Sequence, residues 1–206
     1  MKKITVFIVD DHAIVRMGLA SLLGTKKDIE VVGDAGNGEA AIRKAIKLRP
    51  DVILMDLVMP GMDGAETTKR LLEKIPEAKV LILTSYGASD GIAHALEAGA
   101  LGAAIKTLEF SELVSTIHKV AAGEYAISPE VERILAEEPP VSILSPRQHE
   151  ILHSLAKGLS NSDIATQLGI SRAVVKEHEI ALYAKMGAAN RTEAVTIALR
   201  KHLLKI

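Results

Sequence analysis

Short apolar runs of β-type residues recur through the first half of the chain, at Ile4–Val9, Glu30–Asp34, Val52–Met55, Lys79–Leu83 and Gly102–Ile105. Between them the apolar positions take up helical spacing, at Ala13–Leu23, Gly38–Leu48, Ala65–Ile75, Ser89–Ala98 and Phe110–Ala122. Five strands alternating with five helices predict an open, doubly wound parallel α/β sheet. Thr5-Val6-Phe7-Ile8-Val9 and Val52-Ile53-Leu54-Met55 are apolar on both faces, as parallel strands must be when helices cover each side. Gly123 closes this region, predicting a first domain over 1–123. The acidic, proline-bearing stretch 124–143 then reads as a linker that carries a short helix at Pro129–Ala136.

From Leu144 the pattern is helical throughout, over Pro146–Lys157, Ser160–Leu168, Ser171–Met186 and Arg191–Leu203, predicting a small all-α domain at 144–206. Gly158, Gly169 and Gly187 mark helix ends, while Ser145 before Pro146, Ser160 and Ser171 are placed to cap helix starts. Leu168-Gly169-Ile170-Ser171 has the short glycine turn of a helix-turn-helix.

Composition narrows the classes. A chain of 206 residues with 48% apolar and 25% charged residues is neither disordered nor fibrous. No apolar run reaches the roughly 18–20 residues of a membrane span, and Met1-Lys2-Lys3-Ile4-Thr5-Val6-Phe7 has no small-residue cleavage site, so a cytoplasmic protein with no membrane partner is expected. The absence of cysteine removes disulfides, thiol catalysis and cysteine-ligated zinc. Three Tyr, two Phe and no Trp leave little for stacking single-stranded bases. The net charge of −1 hides an asymmetry: residues 1–140 hold 16 Lys+Arg against 21 Asp+Glu, and residues 141–206 hold 9 against 5. The acidic part suits a cation, the basic part a polyanion such as duplex DNA.

In a doubly wound sheet the ligand crevice lies at the carboxyl ends of the strands. There the chain places Asp10 and Asp11, Asp56, Thr84 and Lys106. Converging carboxylates repel unless a divalent cation sits among them, and hard oxygen donors suit Mg²⁺. One carboxylate is then free to attack a phosphoryl group, with the Lys106 ammonium and the Thr84 hydroxyl to neutralise and hydrogen-bond the transferred oxygens. Asp56 is the natural nucleophile, because Leu57-Val58-Met59-Pro60-Gly61-Met62-Asp63-Gly64 makes a tight loop that leaves the strand end open. Nucleotide binding fits poorly: Asp10-Asp11-His12 stands where a Gly-x-Gly-x-x-Gly would begin, and there is no Walker A sequence.

These residues resemble a known family. Asp10-Asp11, the segment Asp56–Gly64, Thr84-Ser85 and Lys106 are similar to the receiver domain of a bacterial two-component response regulator, a flavodoxin-like fold. Leu144-Ser145-Pro146-Arg147, Gly158-Leu159-Ser160-Asn161, Ile164-Ala165, Val175-Lys176 and Asn190-Arg191-Thr192-Glu193-Ala194 resemble the NarL/FixJ (LuxR-type) helix-turn-helix. The resemblance implies a transcription regulator phosphorylated on Asp56 by a sensor histidine kinase. It also implies Mg²⁺ on Asp11, Asp56 and the backbone carbonyl of Val58, with Asp10 beside them, and a dimer bound to double-stranded DNA. One departure stands out: Ala103 occupies the place, three residues before Lys106, where the family usually carries an aromatic that turns inward on phosphorylation.

His149-Glu150-Ile151-Leu152-His153 matches the zinc-protease pattern H-E-x-x-H, but Ala156 stands where the extended motif wants glycine, and Arg147 and Leu152 fit the DNA-binding resemblance instead. His12, His94, His118 and His202 show no ligand-like clustering in sequence and are expected to be solvated or packed.

In the helical domain the second helix of the motif presents its first turns to base edges. Lys176 is the leading candidate for DNA contact, then Arg172, with Asn161 and Ser162 placed for phosphates. Glu177 beside Lys176 opposes phosphate binding unless it accepts from a cytosine amino group. Val175, Leu182 and Met186 form an apolar stripe that passes through Glu179, so Glu179 is expected partly buried with a polar partner, Arg147, His149 and His153 being the candidates. Val195, Leu199 and Leu203 offer an apolar face for core or dimer packing. The weak basic field and the acids Glu177 and Glu179 favour one alternative, a phosphorylation-controlled protein-interaction module with little DNA affinity.

Overall fold

A computed structural model describes residues 3–85, 89–137, 144–201 and 203–204. The chain divides into two compact units, Met1–Pro139 and Pro140–Ile206.

The first unit runs β1 (Ile4–Val9), α1 (Ala13–Gly24), β2 (Ile29–Ala35), α2 (Gly38–Leu48), β3 (Val52–Asp56), α3 (Gly64–Lys74), β4 (Val80–Thr84), α4 (Ser89–Glu97), β5 (Gly102–Ile105), α5 (Phe110–Ala122), β6 (Ala126–Ile127) and α6 (Pro129–Glu137). All strand pairs are parallel, in the order β2-β1-β3-β4-β5-β6. Because side chains alternate across a pleated strand, the both-faces-apolar runs supply two cores. Phe7, Val9, Ile53, Met55, Val80 and Ile82 meet Ala41 and Ala45 of α2, Leu71 of α3 and Ile92 of α4. Val6, Ile8, Val52, Leu54, Leu81 and Leu83 meet Leu23 of α1 and Leu113, Ile117 and Val120 of α5.

The sheet carries a sixth strand that the sequence pattern did not show. At two residues β6 is too short for alternation to register; it is held by the Ala126 N–H on Leu101 O and the Ser128 N–H on Ala103 O, both 2.9 Å. The expected linker at 124–143 is corrected accordingly. β6 and α6 belong to the first unit, with Val131 and Ile134 buried in the core that includes Ala103, because α6 has its own apolar face and lies against β5 and α4. Residues 138–143 of that stretch lie outside the described residues.

The second unit holds α7 (Pro146–Ala156), α8 (Asn161–Leu168), α9 (Arg172–Met186) and α10 (Arg191–Arg200). Ser145 and Ser160 form capping boxes with Gln148 and Asp163, and Ser171 caps α9 by accepting from the Val174 N–H. Gly169 ends α8 at φ 65°, a left-handed conformation that costs other residues energy, and so turns the chain into α9. Ile151, Leu152, Ile164, Val175, Leu182, Ala194 and Ala198 form the core. α10 stops three residues short of expectation. Val195, Leu199 and Leu203 pack partly buried against that core. Among the described residues no helix is long and apolar enough to cross a membrane.

Candidate functional site

The order β2-β1-β3 makes the carboxyl ends of β1 and β3 a topological switch point, where the connections leave in opposite directions and open a crevice. Asp10 follows β1, Asp56 closes β3, Thr84 closes β4 and Lys106 follows β5, so the parallel sheet delivers all of them to one edge. Asp10 and Asp56 are 2% and 3% exposed. The Lys106 ammonium bridges them, 2.7 Å from Asp10 Oδ2 and 2.8 Å from Asp56 Oδ2. Ligand atoms of Asp10, Asp11, His12 and Asp56 lie within 4.8 Å of one another.

The local sequence explains this geometry. Gly64 begins α3 against the end of β3, where a Cβ would stand 2.2 Å from Asp56 O and 2.8 Å from Leu57 Cα; only glycine permits that approach. Leu57 and Met59 are buried on either side of the exposed Val58, anchoring the loop while its middle faces solvent. The Val58 N–H donates to Asp56 Oδ1 at 3.4 Å. Thr84 donates its hydroxyl to Ser85 O at 3.0 Å, and the Lys106 N–H donates to Thr84 O at 2.7 Å, tying β4 to the start of the lysine loop.

Burial raises the Asp56 carboxyl above the usual carboxylate range; the hydrogen bond and charge of Lys106 oppose this, and the charge of Asp10 adds to it. For Lys106, burial works against the charged form, but the hydrogen bonds and charges of Asp10 and Asp56 prevail and raise it. Three acids against one ammonium leave an excess of negative charge among hard oxygen donors, a set that fits a divalent cation.

Two residues of this pocket escaped the sequence reading. His12 was expected to be solvated or packed; although exposed, it sits with Nδ1 2.8 Å from Asp11 Oδ1 and its N–H donates to Asp10 Oδ1 at 2.8 Å. Its position directly after the two acids was the available signal. Arg16 carried none: it lies on the first turn of α1, and helical side chains lean toward the N-terminus, bringing its guanidinium back to Asp10 and Asp11. His118 joins no ligand cluster among the described residues; half-buried, it packs with Nε2 2.7 Å from Asp28 Oδ2 and Nδ1 against Val114 O. His202 lies outside the described residues. The His149 and His153 side chains flank no third metal ligand among the described residues.

In the second unit Arg172 and Lys176 are exposed on the first turns of α9, and Ser162 is exposed at the start of α8. Asn161 is half-buried because its amide donates to Glu179 Oε2. Glu179 is 8% exposed and accepts a second hydrogen bond from the Tyr183 hydroxyl at 3.2 Å. The expectation of a buried Glu179 with a polar partner holds, but the donors found are on α8 and α9. Arg147 is paired with Glu150 at 2.7 Å, because both lie on the outer side of α7. Burial, then the adjacent Glu179 charge, pushes the Tyr183 phenol up to about 12.

Residues 6–118 match the family described as response regulator receiver domain, and residues 142–198 match bacterial regulatory proteins of the luxR family. The chain is similar to the transcriptional regulatory protein LiaR of Bacillus subtilis, 38% identical over 98% of this chain and 99% of the relative. It is also similar to the response regulator protein VraR of Staphylococcus aureus, 39% identical over 98% and 99%. Among solved structures, the response regulator ChrA of a heme-sensing two-component system aligns at TM-score 0.60 and 38% identity over 99% of this chain and all of that one. An RcsB–DNA complex aligns at TM-score 0.70 and 25% identity over 97% and 99%.

Proposed function

This chain belongs to the two-component response regulators that join a receiver domain to a LuxR-type DNA-binding domain, and from that premise we propose which of its residues do the work. Asp56 is the phosphoacceptor, supported above all by its buried carboxylate sharing the Lys106 ammonium with Asp10 at the switch point. A carboxylate oxygen of Asp56 attacks the phosphorus of a phosphohistidine on a sensor kinase; the P–N bond breaks, the imidazole takes a proton, and an acyl phosphate forms.

Asp10, Asp11, Asp56 and the backbone carbonyl of Val58 would hold Mg²⁺, which when bound supplies positive charge against the carboxylates and the phosphoryl oxygens. Lys106 opposes the burial that favours the neutral form of Asp56, and it is placed to donate to the transferred phosphoryl group. Thr84 can turn its hydroxyl from Ser85 O to a phosphoryl oxygen. The exposed Val58 and His12 leave the crevice open to water, which supports slow autodephosphorylation in the same pocket; the protein is a regulator and turns over no released substrate.

The Met1–Pro139 unit is the receiver and Pro140–Ile206 the DNA-binding domain. Arg172, Lys176 and Ser162 contact double-stranded DNA directly. Asn161, engaged by Glu179, acts there chiefly by holding α8 to α9. Phosphorylation favours a homodimer that reads paired half-sites, and the cytoplasm is where such a regulator meets both kinase and DNA.

Incubation of the full chain with acetyl phosphate and Mg²⁺ is expected to add one phosphoryl mass, and Asp56→Asn to abolish it. Labelling that survives the substitution would remove the assignment. A salt-dependent gel shift on duplex DNA tests the other half; retention only of protein partners would favour the interaction-module alternative that Glu177 suggests.

A further inference from the structure

The end of β1, the start of α1 and the end of β2 meet at the guanidinium of Arg16. Its Nη1 donates to Asp10 O at 2.8 Å and to Asp11 O at 3.3 Å, while Nε donates to Asp34 Oδ2 at 2.6 Å. The side chain is 20% exposed. Asp34 is itself fixed: it pairs in register with Ile8 near the end of β2, and its carbonyl accepts from Lys44 Nζ of α2 at 2.7 Å. Next to it, the Asp10 N–H donates to Ala35 O at 3.1 Å. One planar cation thus joins the main chain of the acidic pair to the neighbouring strand.

The carbonyls it binds belong to the two residues whose carboxylates line the pocket. Holding a carbonyl sets the ψ angle of its residue, and with it the direction in which that residue's side chain leaves the backbone. Asp10 has other restraints, since its carboxylate accepts from the His12 N–H and from Lys106. The contact found on the Asp11 carboxylate is the exposed His12 ring at 2.8 Å, so the direction of Asp11 depends far more on its main chain. Binding two carbonyls and a carboxylate at once requires a forked guanidinium, and a lysine ammonium cannot span all three.

We propose that Arg16, oriented by Asp34, is a positioning residue for the acidic pocket: it aims the carboxylates of Asp10 and Asp11 and thereby sets the affinity for the divalent cation, without touching cation or phosphoryl group. The proposal rests on the reading of Asp56 as phosphoacceptor. It assigns to the β2 end, remote in sequence from the pocket, a share in phosphotransfer.

The test uses the full chain and the variants Arg16→Met, Arg16→Lys and Asp34→Asn. Binding of Mn²⁺, standing in for Mg²⁺, is measured by electron paramagnetic resonance with no phosphodonor present; labelling by acetyl phosphate is then followed against Mg²⁺ concentration, and thermal melting is recorded. Arg16→Met is expected to weaken Mn²⁺ binding on the order of tenfold, the scale of losing an outer-shell partner. Its labelling rate is expected to return close to the parent's at saturating Mg²⁺. Arg16→Lys should fall between the two, and Asp34→Asn should shift in the same direction by less. If Arg16→Met does not fold, the other two variants decide. Unchanged Mn²⁺ affinity in Arg16→Lys and Asp34→Asn, with lowered melting temperature, would overturn the proposal and leave Arg16 a plain structural tie. Failure of the phosphoacceptor reading would look different: the parent would not be labelled, or Asp56→Asn would be, whatever the Mn²⁺ affinities.

Discussion

Replacing Asn161 by Ala separates two roles that a gel shift alone would confuse. As a phosphate contact, Asn161 would matter only when DNA is present; in the structure its amide donates to the buried Glu179 carboxylate, so its loss should be felt in the free protein. A hydrogen bond to a charged group is worth about 1.5–3 kcal/mol, and among the described residues the carboxylate would keep only the longer Tyr183 bond at 3.2 Å. A loss of about 2 kcal/mol lowers the melting temperature of a unit of this size by roughly 8–15 °C. Scanning calorimetry of the full chain measures it. Fluorine NMR of fluorotyrosine-labelled protein assigns the transition, since Tyr183 is the one aromatic residue in 140–206. Glu179→Val removes the buried charge together with its need for donors, and is expected within about 1 kcal/mol of the parent or more stable. Adding Asn161→Ala to Glu179→Val should then cost little, giving a coupling of about 1.5 kcal/mol or more. An Asn161→Ala protein that melts within about 0.5 kcal/mol of the parent and loses only DNA affinity would refute the reasoning and return Asn161 to the phosphate backbone.

The Tyr183 phenol, raised by burial and then by Glu179, should titrate at about 12; because the neutral form is favoured in the fold, this stabilisation is complete below the ordinary value of 10.0 and is lost as pH rises through about 12. In Glu179→Val the ultraviolet titration should move part of the way back, and an unmoved curve would deny the contact. Gly64→Ala places a Cβ 2.2 Å from Asp56 O, so it should cost more than about 3 kcal/mol and abolish labelling by acetyl phosphate; normal melting would show the approach is looser than described. Ala103→Phe should cost about 1–3 kcal/mol by crowding Val131 and Ile134 and expose α6 to protease while Asp56 is still labelled, whereas parent-like melting would show that the core has room for the ring. Lys176→Ala should weaken specific DNA binding by about 1–3 kcal/mol if it reads a base, or reduce the salt slope by about one if it meets a phosphate, and no change in either would exclude it.

The alternation of apolar runs determined most of the first unit. Strands apolar on both faces have to be covered on both sides, and that constraint is local enough to read from Val52-Ile53-Leu54-Met55 alone. The pocket was legible for the same reason: strand ends carry their acids, hydroxyl and lysine to one edge of any parallel sheet of this order. Caps at Ser145, Ser160 and Ser171 act within three residues, and the helix starts fell beside them.

Contacts between side chains distant in the chain required the tertiary structure. The stripe of α9 required Glu179 to be buried, but periodicity describes one helix and says nothing of its neighbour, so the donors on it came from Asn161 and Tyr183. β6 pairs through two residues, too few to leave a pattern, and α6 packs by burying Val131 and Ile134 in the same core as Ala103. Arg16 reads in sequence as one more polar position on a helix. Folding alone brings it to the carbonyls of Asp10 and Asp11 and to Asp34, 18 residues further along the chain, because backbone groups carry no sequence signal and their partners are chosen by whichever chain end packs against them.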